Sequence, residues 1–308
     1  MLDVCLLGTG GTVPLPQRWL TSCWLQCEGS AVLIDCGEGT QIALHEQRIS
    51  CKHIDMIFLT HYHADHTAGL PGLLLSMAKS DRTEPVVVAG PKGIEDFLKG
   101  VMLIARYVPF EIYYKEITSR EETFEAGNMS FTAFQLKHSV PCYGYEVNVR
   151  RTRRFDPEKA EALGIPRRLW GTLQKGESAE YEGRTFEPEM VLGEERKGIK
   201  MVYATDTRPC NSLKEHAKNA DLLITEGMYG CKDGLEKAVA NKHMTMQEAA
   251  ALARDAGVRQ LWLTHFSPSE HNVTEYRNEI RAIFEDTLIS DDGQRTDLAF
   301  SHEEKDND

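Results

Sequence analysis

An α/β fold, with sheets covered on their outer faces by helices, is predicted from three observations on this 308-residue chain. Short aliphatic and β-branched runs come first, as hairpins. Alternation of strand and helix follows them. Histidine and aspartate stand directly behind several of the apolar runs, at the loop positions where a rigid sheet presents its chemistry.

Taken in order, strand-like runs fall at Val4–Leu7, Cys23–Cys27, Ala31–Asp35, Met56–Thr60, Val86–Ala89, Phe110–Glu116, Met129–Gln135 and Gly144–Val149. Helix signals cover Thr40–Gln47, Leu70–Lys79 and Gly93–Ile104, the last opened by Pro91. From Arg150 to Lys197 the periodicity breaks down: charge is dense, Gly and Pro recur, and only Pro157–Leu163 reads as a short helix. Such a stretch reads as an excursion from the core. Regularity returns with Met201–Ala204 (strand), Ser212–Asn219 (helix), Asp221–Thr225 (strand), Thr245–Ala256 (helix) and Gln260–Thr264 (strand). Thr245 with Glu248 three residues on forms the capping-box pattern. A last helix near Val273–Glu285 precedes a polar tail, Ser301–Asp308, with too little apolar content to fold alone.

Hydrophobic content of 41% and charged content of 27% describe a globular chain able to bury a sizeable core. No apolar stretch reaches membrane-spanning length, and the chain opens on a strand-like segment, so a cytoplasmic protein without membrane contact is expected. Eight cysteines without a CxxC pair read as small core hydrophobes in a reducing compartment. A net charge of -12 excludes whole-surface attraction to a polyanion, so any nucleic-acid contact must be local. One such place is Arg150 to Arg168, where Arg150, Arg151, Arg153, Arg154, Lys159, Arg167 and Arg168 outnumber Asp156, Glu158 and Glu161.

The densest chemistry is His61-Tyr62-His63-Ala64-Asp65-His66, arriving straight after Ile57–Thr60. Neutral imidazole nitrogens mixed with anionic oxygen suit zinc or a similar divalent ion. Because the backbone turns at a strand end, His61 and His63 can face one side while Asp65 and His66 face the other, so two metal sites can share one loop. Three further donors follow strands: His138 behind Phe131–Leu136, Asp206 behind Val202–Ala204, and His265 behind Leu261–Leu263. A common sheet edge would bring them together.

These motifs, with Leu7-Gly8-Thr9-Gly10, Asp35–Gln41, Gly69–Leu74, Gly90–Gly93, Tyr143-Gly144-Tyr145, Asp206–Pro209, His243-Met244-Thr245 and Thr264–Ser267, resemble the metallo-β-lactamase superfamily and, within it, the ribonuclease Z family. The resemblance runs from Leu6 to about Pro268. It implies a metallo-β-lactamase-like αββα sandwich of two mixed β-sheets flanked by helices, one domain over residues 1–308 with an inserted arm at about 150–197. It implies two divalent ions per subunit, zinc, with manganese or iron as alternatives. His61, His63 and His138 would hold one ion, Asp65, His66 and His265 the other, and Asp206 would bridge them. A hydroxide shared by the ions would cleave the 3′ trailer from precursor tRNA. His243, its tautomer set by Glu226, would supply the leaving group's proton, Asp65 would orient the water, and Asp35 would prop the ligand loop without touching metal. Substrate contacts fall to Arg18 and Thr21 and, on the arm, to Arg151, Arg153, Arg154, Arg167, Arg168 and Trp170. The family also implies a homodimer in which one subunit's arm serves the other's active site. The competing expectation is a hydrolase of small esters on the same fold, a cyclic-nucleotide phosphodiesterase or an arylsulfatase-like enzyme. The -12 charge favours that second reading.

Overall fold

Alternation is visible in the first strand, β1 (Leu2–Gly8), where Cys5 and Leu7 join a helix-side cluster and the buried Val4 and Leu6 take the other face. The computed structural model describes residues 1–230 and 234–300; Cys231 and the tail Ser301–Asp308 lie outside the described residues. Two compact units are present, residues 1–149 with 200–299, and residues 150–199 with Phe300.

Five further strands of the larger unit follow β1: β2 (Ser22–Cys27), β3 (Ser30–Ile34), β4 (Ile54–Phe58), β5 (Val86–Gly90) and β6 (Ile112–Glu116). Then come β7 (Glu121–Ala126), β8 (Met129–Gln135) and β9 (Tyr143–Arg151), with β10 (Ala179–Tyr181) and β11 (Arg184–Phe186) in the smaller unit. The chain closes through β12 (Arg196–Ala204), β13 (Leu222–Glu226), β14 (Leu261–Thr264), β15 (Thr287–Ile289) and β16 (Arg295–Leu298). One mixed sheet runs β16-β1-β2-β3-β4-β5-β6 and the other β15-β14-β13-β12-β9-β8-β7. β3 to β6 pair in parallel, as do β12 to β15, while the hairpin pairs β1–β2, β2–β3, β7–β8 and β8–β9 and the end-to-end pair β1–β16 are antiparallel. Both faces of the central strands are therefore covered, which is why they read as continuous apolar runs.

Between the sheets Phe58 of β4 stacks on Phe131 of β8 with ring centroids 4.6 Å apart and also meets Phe124 and Tyr145. Outside the first sheet, Leu70, Leu73, Leu74 and Met77 of one helix and Ile94, Leu98 and Val101 of another complete a buried layer. Outside the second, Met246, Ala249, Ala250 and Ala253 of the helix Met246–Ala256 do the same. The Thr245–Glu248 capping box is formed as the sequence predicts. No helix among the described residues is long and apolar enough to cross a membrane.

The structure differs from the sequence reading in its small elements. The short helices Ala64–Thr67 and Gly234–Asn241, and the strands β7, β15 and β16, carry no strong periodicity of their own. The last helix divides into a 3-10 turn, Val273–Tyr276, and Arg277–Ile283. Residues 150–199 are more ordered than an irregular excursion: helices Pro157–Ala162 and Arg167–Gln174 and the β10–β11 hairpin enclose Ala160, Ile165, Leu173, Ala179, Phe186 and Val191.

Candidate metal centre

The loop that leaves β4 is held from below by Asp35, fully buried directly behind β3 in the left-handed region at φ 61°. Its carboxylate accepts from the Thr60 backbone N–H (2.8 Å), from the Thr60 hydroxyl (2.9 Å) and from His66 Nδ1 (2.8 Å). With that hydroxyl donating to Asp35, its oxygen is left to accept from His61 Nδ1 at 3.0 Å. Both imidazoles are thereby fixed in the tautomer that keeps Nε2 for a cation. His138 is fixed likewise, Nδ1 donating to the Lys242 carbonyl at 3.3 Å.

The strand ends then bring the remaining donors together. Asp206 behind β12 and His265 behind β14 both take left-handed backbone, each at φ 57°. Such strain, about 1 kcal/mol or more per residue, persists where surrounding contacts over-determine the geometry, and it clusters at functional sites. Gly11 allows the fit, since a Cβ there would stand 2.7 Å from the His265 ring.

Asp206 is the centre of the arrangement. Its Oδ1 lies 3.8 Å from His61 Nε2 and 3.8 Å from His138 Nε2, while Oδ2 lies 3.0 Å from His66 Nε2 and 3.2 Å from His265 Nε2. His63 Nδ1 stands 2.9 Å from His61 Nε2, and Asp65 Oδ2 stands 3.3 Å from His265 Nε2. Among the described residues the donors form three overlapping groups: His61, His63, His138 with Asp206; Asp65, His66, His265; and Asp206 and His265 with His243. Ligands 2.0–2.2 Å from a tetrahedral ion are roughly 3.3 Å from one another, the spacing seen here. His138 Nε2 and Asp206 Oδ2 are buried without a hydrogen bond, a costly state for polar atoms unless a cation meets them. Asp35, Asp65, Asp206 and Glu226 are all buried, and among the described residues none pairs with Lys or Arg. The residues present therefore fit a pair of divalent ions.

The electrostatics agree with that demand. Burial disfavours charge on His66, but Asp206 and Asp35 outweigh it and raise its pKa well above the ordinary value. Burial likewise pushes Asp65 up, yet the hydrogen bond to His265 and the charge of His66 hold it well below the carboxylate range. The Thr12 backbone N–H donates to Asp65 Oδ2 at 2.7 Å and fixes that side chain.

His243 joins the cluster from the loop before the capped helix. Its Nδ1 is 3.0 Å from Glu226 Oε2, and Glu226 Oε1 accepts from the Thr207 N–H at 2.5 Å. Burial lowers the His243 pKa, but Glu226 more than offsets it and lifts the value to about 9. Two residues outside the sequence-based site complete the support. Arg208 donates to the His243 carbonyl at 2.5 Å and forks onto Glu248, the same carboxylate that closes the capping box. Arg208 could have been suspected from its place two residues behind a ligand, whereas the Thr12 N–H and Lys242 carbonyl leave no signature in a sequence. Of the candidate site residues, His63, His138 and His243 line a cleft of about 660 Å³.

Two residues expected at the substrate are engaged elsewhere. Thr21 is fully buried and donates to the Gly10 carbonyl at 2.9 Å, a position that corrects its expected substrate contact. Arg18 donates to Thr9 and pairs with Asp291 at 3.1 Å while stacking 5.0 Å over Phe266. On the smaller unit, Trp170 packs 5.2 Å from Phe155 and donates to the Ile165 carbonyl, so its ring is partly committed to that unit's own core. Arg153 donates to the Gly193 carbonyl, Arg167 pairs with Glu161 at 2.8 Å, Arg168 stacks 4.9 Å over Tyr181, and Arg151 lies over Phe300.

Residues 2–155 match a family model described as anti-Pycsar protein Apyc1, and residues 184–266 match the β-lactamase superfamily domain. A ribonuclease Z of Agathobacter rectalis is 50% identical over 98% of this chain and 100% of its own length. That of Lachnoclostridium phytofermentans is also 50% identical, over 99% of this chain and 100% of its own. The crystal structure of human tRNase Z, short form, superposes with a TM-score of 0.70 at 25% identity, covering 97% of this chain and 100% of that one. Likeness to such relatives over the full length, joined to a centre in which all seven expected ligands converge, shows that the chain belongs to the ribonuclease Z family.

Proposed function

We propose that this protein is a metal-dependent endoribonuclease that removes the 3′ trailer from precursor tRNA. The observation that carries the reading is Asp206, whose two oxygens face two separate sets of donors within a chain 50% identical to ribonuclease Z enzymes over its whole length. Two ions, zinc in the first instance, would be held as the resemblance implies. Bound there, they supply Lewis acidity and activation of water for in-line displacement at phosphorus.

The chain's own residues do the rest. Asp65, pinned by the Thr12 N–H, orients the attacking water. His243 uses Nδ1 for Glu226, which leaves Nε2 to deliver a proton to the departing ribose oxygen. Residues 150–199, an insertion between the two halves of the larger unit, act as the arm that grips the RNA through Arg151, Arg153, Arg154, Arg167 and Arg168, with Trp170 shaping it from within. The working assembly is a cytoplasmic homodimer in which each arm serves the partner's cleft. Arg18 acts indirectly, holding the loop that carries Thr12.

A hydrolase of small esters is the second reading, supported by the -12 charge and by the match of residues 2–155 to a family model described for a different protein. Purified enzyme incubated with a 3′-extended tRNA and with 2′,3′- and 3′,5′-cyclic nucleotides separates the two. Endonucleolytic release of the trailer without cyclic-nucleotide turnover is expected; the reverse pattern overturns the tRNA reading.

A further inference from the structure

We propose that Lys242 is the phosphate anchor of the catalytic cleft, a specificity residue for RNA over small esters. This rests on the endoribonuclease reading above. Among the described residues thirteen line the cleft, and Lys242 is the one Lys or Arg of these; the rest are histidines, hydroxyl and amide side chains, and apolar groups such as Met228 and Pro268. Behind that lining, by contrast, lie buried carboxylates: Asp206 is 3.8 Å from both His138 and His243, Asp65 accepts from the Thr12 N–H, and Glu226 stands behind His243. A polyanion entering an acidic protein needs a compensating cation beyond the ions themselves, and Lys242 is the side chain placed to provide it.

Its backbone adds a second reason. Lys242 stands between the helix Gly234–Asn241 and the proton donor His243, in the left-handed region at φ 60°. Its carbonyl accepts from His138 Nδ1, and its Nζ donates to the His138 carbonyl at 3.3 Å. The first contact needs only a carbonyl, and glycine would present it with less backbone strain. What lysine adds is an exposed ammonium parked on a neutral carbonyl at the rim, a contact that a phosphate oxygen readily replaces. Being next in sequence to His243, that ammonium would meet a phosphate flanking the scissile one.

The test compares wild type with K242G, K242M and K242R on 3′-extended tRNA over a range of salt concentration, with bis(p-nitrophenyl) phosphate and bound zinc measured alongside. K242G keeps the left-handed backbone without strain, so the carbonyl on His138 survives while the charge is lost. Expected for K242G and K242M is a rise in KM for the RNA of roughly tenfold, from one lost charged hydrogen bond, with kcat within about twofold. The slope of log kcat/KM against log salt should fall by about 1, K242R should restore both, and any loss on the small ester should be clearly smaller than that on the RNA. An unaltered salt slope, or equal losses on the RNA and the small ester, overturns the assignment and leaves Lys242 as a support for His138. Failure of wild type to cleave the RNA at all would sink the parent reading, a result distinct from either.

Discussion

At the scale of single residues, the hydrogen bond between His243 Nδ1 and Glu226 supports the proposal that His243 delivers a proton and binds no metal. His243→Ala should therefore lower kcat by about 10²- to 10⁴-fold, the range for loss of a general acid. Zinc per subunit, measured by elemental analysis, should not change; metal loss in that variant would place His243 among the ligands. Asp35 makes the opposite case. It touches no expected ligand position of the ions but orients His66 directly and His61 through Thr60. Asp35→Asn keeps the shape yet turns an amide toward groups that donate, so zinc affinity should fall about 10- to 100-fold in a chelator competition, as for other outer partners of ligands. Affinity equal to wild type would remove Asp35 from that role. The clustered donors were legible because imidazole and carboxylate side chains carry their chemistry in the residue letter and recur behind apolar runs. Thr21 misled because a hydroxyl close to a site in sequence is as readily consumed by a nearby backbone carbonyl, here Gly10.

At the scale of elements, residues 150–199 and the outer layer of the second sheet invite separate tests. The smaller unit has its own buried cluster, and its exposed ion pairs, such as Arg167–Glu161, are the weak kind that exchange readily for phosphate. Deletion between Arg151 and Arg196 should abolish cleavage of precursor tRNA and leave hydrolysis of bis(p-nitrophenyl) phosphate within a few-fold; equal loss of both would end the exosite role. The sequence announced this segment by charge but hid its helix Arg167–Gln174, whose polar face outweighs a few buried positions such as Leu173. β7 was hidden for a related reason. Its glutamates disfavour strand in isolation, and pairing with β8 overrides them. In the larger unit, Glu146 of β9 is joined to His216 of the helix Asn211–Ala217 at 2.9 Å and to Lys200 of β12 at 3.3 Å. Burial raises its pKa, but His216, Asn148 and Lys200 outweigh this and take it from 4.5 to about 2. A depressed folded value means the ionised carboxylate stabilises the fold, fully above pH 4.5 and progressively less as pH falls toward 2. Urea unfolding of Glu146→Gln should show a stability deficit at pH 7 that narrows across that window; a deficit independent of pH would assign the loss to packing.

At the scale of the whole molecule, the proposed ligands divide between the two sheets. His61, His63, Asp65 and His66 follow β4 of the first, while His138, Asp206 and His265 follow β8, β12 and β14 of the second. Ions held by both sets would join the halves of the sandwich, since Asp206 of the second sheet faces His61 and His66 of the first. The plan of strand followed by donor was legible in both halves of the sequence, whereas the meeting of the halves was not, because it depends on sheets packing through contacts such as Phe58 on Phe131. Under the proposed metal binding, folding and ion uptake are linked, since the unfolded chain scatters the donors more than 200 residues apart. With free zinc at about 100 times its Kd, linkage adds about 2.7 kcal/mol per site to stability. Stripping the ions with a chelator should then lower Tm by about 5 °C or more, given roughly 2–4 °C per kcal/mol for a domain of this size. Readdition of zinc should restore it, and the shift should grow with zinc concentration. A Tm indifferent to verified metal removal would mean that the donors are brought together by the fold alone, and that the ions serve chemistry without holding the sheets.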